Sequence, residues 1–198
     1  MNDYFSSDYE DKNRWMSYWH QIKEISDFRP ESILIVGKGS GLVSEYLKLS
    51  GLKTVTLDID ESLNPDIVAS VLKMPFSDNE FDVVLCAQVL EHLPYEDFPQ
   101  ALSEIKRVAK NGSVISLPHF GPAIRFFLKL PLLPEIKFVI KLPYPKKHTF
   151  KGEHYWEIGK SGYPVRKIKK DIVKSGLVIV KDYIVFENPL HHFFILKK

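Results

Sequence analysis

The stretch ILIVGKGSG, residues 33–41, decides how this chain folds. SILIVG at 32–37 is a short apolar run, rich in β-branched residues, that ends in glycine. Such a run reads as a strand buried on both faces, which is the signature of a parallel sheet. Glycine at 37 permits a tight turn, and glycines at 39 and 41 let backbone approach a ligand closely. Ser40 to Ser50 reads as the next helix, with Gly51 as its C-terminal cap. The start of that helix presents unpaired N–H groups toward whatever sits over the loop. The spacing is GxGxG. A dinucleotide fingerprint would need a glycine at 42, where Leu42 stands, and no GK[ST] follows as a P-loop requires.

Outward from that loop the pattern repeats. Thr54 to Leu57 reads as a second strand closed by Asp58, seventeen residues after Gly41. A carboxylate there can accept hydrogen bonds from both hydroxyls of a ribose, so loop and acid together indicate a nucleoside-containing ligand. Asp66–Ala69, Val83–Cys86 and Ser113–Leu117 read as further strands, the last after an Asn111-Gly112 turn. Pro94–Ala109 carries a helical pattern. Before the loop, Trp15, Tyr18, Trp19, Ile22 and Ile25 recur at helical steps, and Pro30 ends that helix. Tyr163–Ser175 reads as a basic helix stopped by Gly176. Leu177–Phe186 and His192–Leu196 read as a hairpin joined at Asn188-Pro189. The fold class expected is α/β: a Rossmann-like, mostly parallel sheet with helices on both faces and a C-terminal antiparallel hairpin. The expected organisation is one domain over 1–198, with an N-terminal helical cap at 1–30 and an insert at 119–156.

Four stretches carry a family resemblance: ILIVGKGSG at 33–41, VTLDID at 55–60, LKMPFSDNEFDVVLCAQVLEHLPYED at 72–97 and IKRVAKNGSVISLP at 105–118. In these the chain resembles a class I S-adenosylmethionine-dependent methyltransferase of the small-molecule type, related to the ubiquinone and menaquinone methyltransferases. The resemblance covers about residues 30–118. It implies S-adenosylmethionine as cofactor. Gly37, Lys38, Gly39 and Gly41 would line its methionine and ribose part, and Asp58 would hold the ribose hydroxyls. Ile59 would pack on adenine. Ser70, Val71 and Leu72 match the loop beside the adenine edge. Gln88 would border the methionine end, and Glu91-His92 would shape the floor. Two positions depart from the family pattern. Ile35 stands where an acid usually meets the cofactor's amino group, and Ser70 stands where Asp is frequent in the adenine loop. The departures leave a non-catalytic cofactor-binding module as an alternative.

Methyl transfer asks mainly for alignment, with a base where the acceptor must lose a proton. His119 directly follows the fifth strand, at the edge where open α/β sheets bind ligands, and is the first candidate for catalysis or substrate contact. His92, His148 and His154 are weaker ones. The insert breaks the βαβ rhythm with prolines, aromatics and lysines, and is expected as a lid or cap over the substrate site. AIRFFLKLPLLPEIKFVIKL also suits an interfacial element, so peripheral membrane contact through 120–142 is open.

Composition sets the remaining bounds. Residues 1–117 hold 11 Lys/Arg against 19 Asp/Glu, and residues 118–198 hold 16 against 6, so net charges of −8 and +10 divide the chain. The basic half leaves an RNA or protein methyltransferase as an alternative. No RNA-binding module is seen, and CAQVLEH stands where amide and adenine methylases carry Asn/Asp-Pro-Pro-Tyr, so a small-molecule acceptor is expected and nucleic acid is not. The single cysteine, Cys86, excludes an internal disulfide. Without CxxC or HExxH, no metal site is expected. The polar, acidic start is not a signal peptide and no apolar run is long enough to span a bilayer, so a cytoplasmic location is expected.

Overall fold

The computed structural model describes residues 10–144 and 146–198. The first nine residues of the expected N-terminal cap lie outside them. The chain runs α1 (Lys12–Asp27), β1 (Ser32–Val36), α2 (Leu42–Leu49), β2 (Lys53–Asp58), β3 (Ile67–Val68), β4 (Phe81–Ala87), α3 (Phe98–Val108) and β5 (Ala109–Pro118). It continues through β6 (Ala123–Leu128), β7 (Ile136–Lys141), α4 (Val165–Lys174), β8 (Val178–Ile184) and β9 (His191–Lys197). Seven strands form one sheet in the order β3-β2-β1-β4-β5-β9-β8. The first five are parallel, and β9 and β8 add antiparallel to the far edge.

Alternation along β1 explains the layering. Leu34 and Val36 join one buried cluster with Phe98, Leu102 and Ile105 of α3 and Ile168 and Ile172 of α4. Ile33 and Ile35 join a second with Ile25 of α1 and Val43 and Leu47 of α2. Period-two alternation thus feeds two cores, one on each face of the sheet. Order reverses beside β1, where β2 lies on one side and β4 on the other, and ligands bind at the carboxyl ends of strands at such a switch point.

Four local expectations change. Asn111-Gly112 is not a turn but lies inside β5. A Cβ on Gly112 would stand 2.1 Å from the Leu196 carbonyl oxygen, so glycine is needed there for close strand packing. The helix read from Ser40 begins at Leu42, because Gly41 has φ +80°, which ends the loop rather than starting a turn of helix. The aromatic stripe of α1 is not its buried face: Trp15 and Trp19 are half-exposed, while Ser17, Gln21, Glu24 and Ile25 are buried. That helix docks through Ile25, with Tyr18 and Ile22 packed on the same core, and through polar contacts, Glu24 accepting from the Tyr183 hydroxyl at 2.9 Å and Ser17 Oγ lying 3.2 Å from Asn188 Nδ2. Finally, the insert holds a two-stranded antiparallel sheet, β6 with β7, that shares no pairing with the main sheet.

Candidate active site

A cleft of about 780 Å³ opens over the carboxyl ends of β1, β2, β4 and β5. Its floor begins at the glycine loop. Gly37 (φ +83°) and Gly39 (φ +52°) both hold left-handed backbone, with different surroundings. A Cβ on Gly37 would meet Val89 Cγ2 at 2.3 Å, whereas nothing lies within 4 Å of one on Gly39. Gly37 therefore serves packing, and Gly39 leaves space on the cleft. The Asp58 carboxylate accepts the Lys38 N–H at 2.7 Å through one oxygen and the Asp60 N–H at 3.0 Å through the other. Each oxygen keeps a further lone pair, so Asp58 fastens the loop and can still accept ribose hydroxyls.

Gly37, Lys38, Gly39, Asp58, Ile59, Gln88 and His119, all singled out in the sequence, line this one cleft. Gly41, Ser70, Val71 and Leu72 do not line it. Gly41 caps α2, Val71 is buried in the core, and Ser70 Oγ accepts from the Leu72 N–H at 3.2 Å. Gln88 has φ +56°, strained for a side-chain-bearing residue, and its Nε2 donates to Ser116 Oγ at 3.1 Å. Ile35 is buried at the foot of the cleft, with no carboxylate at that position. Tyr18 and Gln21 of α1 line the same space and supply polar groups that the helical pattern of α1 did not mark as site residues. Burial pushes the Tyr18 hydroxyl up to about 12, so it remains a neutral donor.

At the β5 end, His119 Nδ1 lies 3.0 Å from His192 Nδ1, and His192 Nε2 lies 3.3 Å from Asp182. Asp182 also pairs with Lys169 at 2.7 Å. If Asp182 accepts from His192 Nε2–H, His192 Nδ1 accepts from His119 Nδ1–H, and His119 keeps a lone pair on Nε2. Burial, then the His192 and Lys141 charges, lower the His119 pKa to about 3. His119 is thus a neutral acceptor and a weak base.

The third wall joins the one-turn helix Leu90–His92, which follows β4, to residues 152–157 of the insert. The Tyr155 N–H donates to the Glu91 carbonyl at 2.8 Å, tying the two segments together. Glu91 is fully buried, and burial raises its pKa to about 7. The described residues among 121–151, including β6 and β7, do not line the cleft. The sequence marked His92 and His154 separately. The approach of His154 to Glu91 and His92 across some sixty residues had no local signal.

A methyltransferase-domain family profile matches residues 34–117, the segment from β1 to the end of β5. The chain is 38% identical over 88 residues to an uncharacterized protein of Methanocaldococcus jannaschii, a match covering 41% of this chain and 38% of that one. It is 27% identical to a demethylmenaquinone methyltransferase of Corynebacterium efficiens over 61% of this chain and 58% of the relative. The chain thus spans about half the length of the curated relatives it matches. Among solved structures, magnesium protoporphyrin IX methyltransferase from Synechocystis aligns with a TM-score of 0.62 at 14% identity, over 100% of this chain and 85% of that one. The Burkholderia thailandensis 1,6-didemethyltoxoflavin-N1-methyltransferase aligns at 0.59 and 13% identity, over 99% and 85%. At such identities the likeness is one of fold. A methyltransferase domain is thus matched over residues 34–117, on a fold shared with solved class I S-adenosylmethionine-dependent methyltransferases. S-adenosylmethionine is the cofactor of that class, and the open space at Gly39 beside the spare lone pairs of Asp58 fits it.

Proposed function

We propose that this chain transfers the methyl group of S-adenosylmethionine to a small, lipid-like acceptor. The observation that carries the reading is continuity: the nucleoside-type cradle at Gly39 and Asp58 and the histidine end at His119 belong to one cleft. Gly37, Lys38, Gly39, Asp58, Ile59 and Gln88 would hold the cofactor. When bound, it supplies an electrophilic methyl group that needs an aligned nucleophile and little else. His119 Nε2 would accept a hydrogen bond from the acceptor and orient it, with His192 and Asp182 holding the ring. A ring this hard to protonate suits orientation better than proton removal.

The β6–β7 hairpin supports the lipid-like part. Ile124, Phe126, Phe127, Leu132, Leu133, Ile136, Phe138 and Ile140 are all exposed along it, with Leu132 fully so at its turn. Arg125, Lys129 and Lys137 alternate with them. Exposed apolar residues interleaved with cations suit a lipid surface with anionic headgroups. The demethylmenaquinone methyltransferases among its relatives are named for a quinone acceptor, in keeping with this. The test is to supply methyl-labelled cofactor to a cell extract and follow the label. Label in an organic-solvent extract that depends on the protein supports the reading. Label only in protein or RNA overturns the acceptor class, and cofactor binding with no label anywhere overturns catalysis.

A further inference from the structure

We propose that Glu91, His92 and His154 form a divalent transition-metal site in the wall of the cleft. One ligand atom from each of the three lies within 4.8 Å of the others. Glu91 supplies the decisive observation. Its side chain is fully buried, and neither carboxylate oxygen has a hydrogen-bond partner from another residue. A buried carboxylate left without partners is costly, and a bound cation is one of the few things that compensates it.

The two imidazoles are already set as ligands. His92 Nδ1 lies 3.1 Å from the Glu153 carbonyl oxygen, and His154 Nδ1 lies 3.4 Å from a Glu157 carboxylate oxygen. An acceptor at Nδ1 places the ring proton there and leaves Nε2 to bind. A carbonyl or carboxylate behind a ligating histidine is the usual second layer of a metal centre. Two imidazoles and one carboxylate suit zinc or another first-row divalent ion rather than calcium or magnesium, which prefer oxygen alone. Three protein ligands leave further coordination positions for water or for an oxygen of the acceptor. That last point rests on the methyltransferase reading, whereas the site itself does not. The ligands also come from two segments, Leu90–His92 and the loop after β7, so the ion would pin the insert to the sheet.

The test uses cobalt(II) as a spectroscopic probe on the full chain stripped with a chelator, with neither cofactor nor acceptor present. We expect one cobalt ion per chain, visible ligand-field bands, and displacement by zinc. Glu91→Gln and His154→Ala should each weaken uptake by at least about tenfold, while His20→Ala, remote from the cluster, should leave it unchanged. Zinc should also shield His92 and His154 of the unmodified chain from histidine acylation, a readout independent of how any variant folds. No saturable uptake at millimolar cobalt, or uptake and shielding that ignore these residues, would overturn the proposal. Cobalt uptake here, together with no label transferred in the extract assay above, would leave the metal site standing and count against the proposed function.

Discussion

His119 and His192 stack with ring centres 5.2 Å apart and share a hydrogen bond of 3.0 Å between their Nδ1 atoms. Two buried imidazoles in that relation can hold one proton between them but not two additional ones, since the second charge would face the first without solvent. Both rings are accordingly lowered, His119 to about 3 and His192 to about 4, chiefly by burial. His191, beside them and nine-tenths hidden, is lowered to about 4 by burial and by Arg14.

Acid stability follows from these three. Their unfolded value is near 6.5, so between that pH and about 4 the unfolded chain binds protons that the folded chain refuses. The stability they support is complete above pH 6.5 and is lost as pH falls, with a limiting slope of roughly 1.4 kcal/mol per pH unit for each histidine. Thermal unfolding followed from pH 7 to pH 4 should show a steep fall in Tm. His192→Asn should flatten that slope by about one proton. A slope unchanged in the variant would mean that His192 titrates normally in the folded protein.

His119 should matter for turnover and not for cofactor affinity. Replacing it with alanine should lower kcat/KM for the acceptor by about a hundredfold, the scale for a misplaced reactant, with the cofactor Kd unaltered. Because its pKa is about 3, the wild-type profile should carry no acid limb near neutrality from this ring. Asp182→Asn, which disturbs the relay without touching the cleft, should give a smaller loss of the same kind. A variant of His119 that loses cofactor affinity instead would place the ring at the wrong end of the cleft.

The Asp58 carboxylate bonds two backbone N–H groups and faces the cleft. Asp58→Ala should weaken cofactor binding by about 1.5–3 kcal/mol, the range for a hydrogen bond to a charged group. Calorimetry reads it directly. An unchanged Kd would move the ribose site elsewhere.

The two glycines should separate fold from binding. Gly37→Ala drives a methyl into Val89 and should destabilise the protein whether or not cofactor is present. Gly39→Val has no neighbour to strike, so its cost in folding is limited to the left-handed backbone, while its side chain fills space the ligand needs. The expected pattern is a large drop in Tm for the first and lost cofactor binding in a folded protein for the second. Wild-type cofactor affinity in folded Gly39→Val would remove the loop from the site.

The parallel sheet was legible because its evidence is local. SILIVG, the glycines and Asp58 follow one another within thirty residues, and each strand is bounded by its own turn residues. What escaped detection depends on partners distant in sequence. Gly112 reads as a turn until the Leu196 carbonyl is seen against it. The helical pattern of Trp15, Tyr18, Trp19, Ile22 and Ile25 does not tell that Ile25 is buried while Trp15 and Trp19 stay half-exposed, or that Glu24 and Ser17 are buried beside it. The insert could be set apart by its composition, yet AIRFFLKL and IKFVIKL give no periodicity that separates a hairpin from a cap helix. At the site, the approach of His154 to Glu91 and of His192 to His119 is tertiary, and no spacing announces it.

The hairpin gives the last prediction. Ile124, Phe126, Leu128, Ile136, Phe138 and Ile140 pair across one face of a two-stranded ribbon and are exposed, and such a ribbon is seldom stable with that surface unless something covers it. Its base is fixed, with Arg125 Nη1 donating to the Glu187 carbonyl at 3.3 Å, and Lys141 Nζ donating to the His119 carbonyl at 2.6 Å. The second contact runs from β7 to His119, which lines the cleft, so a hairpin held at a lipid surface would hold that end of the cleft near it. Vesicles rich in anionic lipid should bind the wild-type chain, and binding should weaken with salt as the lysine and arginine contribution is screened. Leu132→Asp with Leu133→Asp at the turn should cost about 3 kcal/mol or more in apolar transfer, roughly a hundredfold in partition. Cofactor Kd should stay as it was, because Leu132 and Leu133 do not line the cleft. Wild-type protein that ignores anionic vesicles, or a double variant that binds them as well as the parent, would show that the hairpin is covered by something other than lipid.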